Sequence, residues 1–136
     1  MNARVIVSKG NNPFQTAQSA LQQIPFPSLR GRKVLVKPNA GRAASPGEGV
    51  TTHPSVVEAT IDHLREMGAT DIVIGESCIF GVDPEEAFRA TGMREVSENK
   101  GVTLVDLDRF EPMEIPIPKG KAIKKIKVSS VLRQFD

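Results

Sequence analysis

The chain has little that would commit it to a specialised class: one cysteine, no tryptophan and no tyrosine among 136 residues. A single thiol excludes an intramolecular disulfide, and without a spaced cysteine cluster there is no zinc or iron–sulfur signature. Six phenylalanines are the whole aromatic complement, so the stacking platforms of single-strand nucleic-acid binders are scarce. No apolar run approaches the roughly 20 residues of a membrane span, and the apolar stretch near the start is too short for a signal peptide. The default expectations are a cytoplasmic location and no membrane partner.

What is present is ordinary for a folded protein. With 39% hydrophobic and 25% charged residues the chain has the composition of one soluble domain, neither disordered nor fibrous. Net charge is only +2, yet Lys119, Lys121, Lys124, Lys125 and Lys127 fall in one short segment. They read as a solvated face or as an edge strand guarded against unwanted pairing. The alternative is an electrostatic footprint for nucleic acid or a membrane surface.

Residues 4–8 are short and β-branched and predict a first strand. Asn12 followed by Pro13 is an N-cap with proline at the first helical position, and Phe14, Ala17, Leu21 and Ile24 recur at helical spacing, predicting a helix over 13–24 that Pro25 and Pro27 end. A second strand, 33–37, runs into Pro38 and a glycine-rich loop reaching Thr51, longer than most connections and with little to pack. That loop is expected to be mobile without ligand. A helix over 55–67 follows, with Val57, Ile61, Leu64 and Met67 facing the core; either Ser55 and Glu58 form a capping box, or Pro54 opens the helix and His53 caps it. His63, among Asp62, Arg65 and Glu66, reads as solvated.

A third strand, 69–74, stops at Gly75-Glu76-Ser77-Cys78. Asp83-Pro84-Glu85-Glu86 opens a short helix using Ala87, Phe88 and Met93 and broken at Gly92; a further helical turn ends at Gly101, and 102–107 is the fourth strand. This alternation predicts an α/β fold with three layers, a mostly parallel Rossmann-like sheet and right-handed crossovers. Residues 114–118 and 122–128 resemble an edge hairpin or meander, Pro112, Pro116 and Pro118 confining the first of them to an edge. The whole chain, 1–136, is read as a single domain.

The ordered set Val34-Leu35-Val36-Lys37-Pro38-Asn39, Thr51-Thr52-His53-Pro54 with Val57 and Ala59, Gly68-Ala69 through Gly75-Glu76-Ser77, Ala87-Phe88 to Thr91-Gly92, and Val105-Asp106-Leu107-Asp108 resembles the N-terminal part of domain-of-unknown-function family 362. The resemblance implies a fold neighbourhood and no particular activity or cofactor. Members usually continue with another buried strand and a Lys-rich motif, and some carry ferredoxin-like cysteine clusters, so the resemblance implies the N-terminal part of a larger, divided domain. A more distant likeness is to the N-terminal domain of nickel-pincer lactate racemases. There a Thr-Arg-Pro motif opens the comparable helix and a Gly-Thr-His motif follows the next strand; here His53 replaces the Arg, and Glu76-Ser77 replaces the Thr-His.

Residues at strand carboxyl ends line the usual ligand crevice of open α/β sheets. Lys37 there would neutralise a phosphate or carboxylate, or else is the polar end of a buried strand. Asn39, Thr52 and Ser77 would add polar contacts, and Arg42 would close over an anion with its planar fork. His53 at a helix N-terminus is a candidate acid/base with Glu76 as its partner, or else a cap. His53, Glu76 and Cys78 come from three neighbourhoods and make no metal spacing. Two functions from different classes follow: a non-catalytic module binding a small anion, or an enzyme or enzyme half acting on a small anionic metabolite with His53 as acid/base. Nucleic-acid binding through the C-terminal lysines stands third. Val131, Leu132 and Phe135, with no following strand, predict an uncovered apolar face and hence a homodimer or a complementary chain.

Overall fold

The structure, a computed structural model, describes residues 4–136 as a parallel sheet with helices packed on it and a C-terminal antiparallel hairpin. Strands β1 (Lys33–Val36), β2 (Asp71–Glu76) and β3 (Thr103–Asp106) lie in the order β1-β2-β3. Register runs from Lys33 opposite Asp71 to Val36 opposite Ile74, and from Val73 opposite Thr103 to Glu76 opposite Asp106. All three strands therefore end at one rim. Helix α2 (Pro54–Glu66) makes the first crossover, and α3 (Pro84–Ala90) with α4 (Met93–Lys100) makes the second.

Alternation along the strands sends Val34, Val36, Ile72, Ile74 and Leu104 to one face. There they meet Val57, Ile61 and Leu64 of α2, Phe88 of α3, and Met93 and Val96 of α4 in a single apolar cluster. Ile61 and Phe88 are fully buried, each contributing about 1.5–3 kcal/mol. Helix α4 is tied to α2 by Lys100 Nζ on Asp62 at 2.7 Å. On the opposite face Gly75 leaves no room for a side chain: a Cβ would lie 2.8 Å from both Leu107 Cδ2 and Leu35 Cδ1.

Several expectations from the sequence are corrected. Residues 4–8 form no strand, and Val5 and Val7 are more than 80% exposed, because β propensity is realised only by pairing and these residues pair with no strand. Helix α1 (Pro13–Leu21) stops three residues before Ile24. Pro25 bars Ile24 from helical dihedrals, and the last amides, Gln23 and Ile24, tighten to the carbonyls three residues back. His63 is buried rather than solvated: it shares the face of Ala59, one turn earlier, and meets the Phe26 ring edge-on at 5.3 Å. Val131 is also buried, inside a 3-10 turn, Ser130–Gln134, after which the Asp136 amide donates to the Lys33 carbonyl at 3.0 Å.

The hairpin of β4 (Pro112–Pro116) and β5 (Lys125–Ser129) forms a separate two-stranded sheet. Among the described residues no helix is long and apolar enough to cross a membrane.

Candidate functional site

Glu76 ends β2 and organises the carboxyl rim. Its carboxylate, only 3% exposed, accepts the Ala40 amide on Oε2 at 3.0 Å and the Ser77 amide on Oε1 at 2.8 Å, and the Lys37 ammonium pairs with Oε1. Three donors offset the cost of taking this charge out of water. The lysine itself is half in solvent, so its share of the pairing is screened. Two of the expected site residues, Lys37 and Glu76, are therefore in direct contact, with Ser77 beside them.

Asn39 and Thr52 meet as well, but they bind each other. The Asn39 amide donates to Thr52 Oγ1 at 2.9 Å, the Thr52 amide donates to the Asn39 carbonyl at 2.8 Å, and Asn39 Nδ2 donates to the Val50 carbonyl at 3.1 Å. The clasp closes residues 40–51 into an Ω-loop over the end of β1. The loop has more to pack than its composition suggests, since Pro38, Ala40 and Gly41 at its base are buried. Gly41 accepts from the Ile79 amide at 3.0 Å, and a Cβ there would lie 2.8 Å from the Ser77 carbonyl oxygen. Residues 45–50 are exposed, as is Arg42.

His53 caps α2, as one of the two sequence readings has it: Nδ1 accepts the Ser55 amide at 3.2 Å and Pro54 is the first helical residue. An Nδ1 that accepts leaves the neutral ring's proton on Nε2, so the free edge of this histidine is a donor. The described hydrogen bonds do not join His53 to Glu76. Just before it, the Thr51 hydroxyl is buried with no protein partner among the described residues. The sequence alone does not single out this hydroxyl, because only the folded loop pairs Thr52 with Asn39 and leaves Thr51 unpartnered among the described residues.

The β3 side of the rim is acidic. Ser77 Oγ donates to Asp108 Oδ1 at 2.6 Å, and Asp106 caps the turn by accepting the Asp108 amide at 2.9 Å. Burial pushes the Cys78 thiol above its ordinary value, and Asp106, Glu76, Asp108 and Asp83 push it further. The carboxylates around Cys78 thus make this side of the rim acidic, while Lys37, paired with Glu76, and the exposed Arg42 are the cations on the β1 side. Among the described residues no group of three or more His, Cys, Asp or Glu side chains is placed to hold a metal ion. A largely apolar cavity of about 260 Å³ lies elsewhere, between β1 and residues 26–29.

Residues 34–136 match the family model described as a domain of unknown function (DUF362), and the chain belongs to that family. No curated protein and no solved structure gives a match.

Proposed function

We propose that this member of the family binds a small anion, a phosphate or carboxylate, at the carboxyl ends of β1 and β2, and that the chain as it stands is a binding module rather than an enzyme. The observation that carries the reading is a half-exposed Lys37 ammonium, paired with Glu76, at the foot of a loop whose buried Thr51 hydroxyl lacks a protein partner among the described residues. The Asn39–Thr52 clasp joins the segments bearing these two groups. His53 supports binding over catalysis: its Nδ1 is occupied and its remaining nitrogen donates, which suits an anion and not a proton to be abstracted. Glu76, accepting from three donors, supports the same conclusion.

The test is titration of the labelled protein with inorganic phosphate and with malonate, followed through backbone amide shifts. Saturable shifts at residues 37–41 and 51–55 are expected, and Lys37→Ala should weaken them about tenfold, the loss of one charge-assisted contact. Uniform small shifts, or a response unchanged in Lys37→Ala, would reject the reading.

A further inference from the structure

The rim does not use the chemistry of the hairpin. Its strands pair Met113 with Val128 and Ile115 with Ile126, and the Ile117 amide continues the ladder by donating to the Lys124 carbonyl at 2.8 Å. Alternation therefore puts Met113, Ile115, Ile117, Ile126 and Val128 on one face, with Lys124 at its outer end. The inner pair is half-buried toward the body of the protein. Moving outward, Ile115 and Ile126 are 38% and 39% exposed, and Ile123 in the connecting loop is 55% exposed. The tip thus presents aliphatic side chains among Lys119, Lys121 and Lys124, all three of them exposed.

The charge is concentrated to match. From residue 112 to 129 five lysines face one acid, Glu114, a net of +4 on an arm of a chain whose total is +2. Lys125 Nζ holds Glu114 at 2.8 Å on the other face, so the tip lysines have no acidic side chain of the arm left to neutralise them. A second copy of the arm would bring the same charges against themselves. Nucleic acid would satisfy the lysines but leave the isoleucines in water, and the arm carries no aromatic ring to stack on a base. Aliphatic side chains ringed by lysines suit a surface that is anionic outside and hydrocarbon just beneath.

We propose that the β4–β5 hairpin docks peripherally on anionic phospholipid, with Ile123, Ile115 and Ile126 entering the acyl boundary and Lys119, Lys121 and Lys124 at the headgroups. The test is sedimentation of the full chain with vesicles of phosphatidylcholine alone or with about 30% phosphatidylserine. Co-sedimentation only with the anionic vesicles is expected. The exposed tip variant Ile123→Ser should reduce it several-fold, and Lys119→Glu with Lys121→Glu should reduce it more than tenfold, at about fivefold per lysine removed. Circular dichroism establishes that each variant is folded, and either one suffices for the test. Equal binding to both vesicle types, no binding to either, or a folded Ile123→Ser variant that binds like the parent would overturn the proposal. So would a dimer in light scattering that the Ile123→Ser variant converts to a monomer, which would make a second copy of the chain the occupant of the arm.

Discussion

Glu76 shows how one buried charge can hold a site together without being its chemistry. Removing the carboxylate in Glu76→Ala leaves the Ala40 amide, on a fully buried residue, without its acceptor, so a loss of about 2–4 kcal/mol in urea unfolding is expected. Lys37→Ala should cost under about 1 kcal/mol, because the lysine is half in solvent and both backbone donors remain. If the two variants cost the same, the organising role assigned to Glu76 is wrong. Cys78 tests the field on the other side of the rim. Its raised pKa keeps the thiol protonated, so alkylation by iodoacetamide near pH 8 should be slower than that of free glutathione, and Asp106→Asn should speed it. The sign for stability follows from linkage. A folded-state pKa above the unfolded one contributes stability that is present at neutral pH and lost as pH rises beyond the ordinary thiol value of 9.0.

Elements are fixed here by small steric facts as much as by hydrophobic pattern. Helix α2 begins where it does because Pro54 can open a helix and His53 can cap it; His53→Ala should cost about 1 kcal/mol, and His53→Asn should restore most of that. Strand β2 carries Gly75 just before its carboxyl end, ordinarily a weak choice for a strand, because Leu35, Leu107 and Val105 already fill the space above it. Gly75→Ala should therefore destabilise by about 1–3 kcal/mol, where a vacant face would have gained from the added methyl. A thermal melt at or above the parent's would show that the two leucines move aside at little cost.

For the molecule as a whole, the end of the described chain returns to its first strand. The Asp136 carboxylate accepts from Arg32 Nη1 and from the Lys33 amide, each at 2.9 Å, and its own amide donates to Lys33. The Lys33 backbone bond, followed by the Arg32 side-chain bond, holds this carboxyl below its ordinary 3.8. A depressed carboxylate contributes stability above the unfolded value that is lost as pH falls through the folded one. Thermal melts should therefore separate the parent from Asp136→Asn at neutral pH and bring them together well below pH 3.8. A gap that persists in acid would mean that the tie does not rest on the charge of the carboxylate.

The sequence by itself determined the α/β alternation, the parallel sheet, the caps at Asn12 and Asp83, and the C-terminal hairpin, because each is written in local pattern: apolar periods, prolines at first helical positions, and breaks at Gly92 and Gly101. It also put Lys37, Glu76 and Ser77 at strand ends that a parallel sheet must gather at one rim. What it lacked was phase and partner. His63 has charged neighbours in sequence, yet the turn of α2 carries it inward to Phe26. Residues 4–8 have strand propensity, yet they pair with neither edge of the sheet. Asn39 and Thr52 were legible as polar loop residues, but only the folded loop decided that they would be spent on each other. Tertiary structure likewise split the rim into a side where Lys37 is paired with Glu76 and an acidic side at Asp106 and Asp108, since the sign of a field depends on distances between strands that no spacing along the chain records.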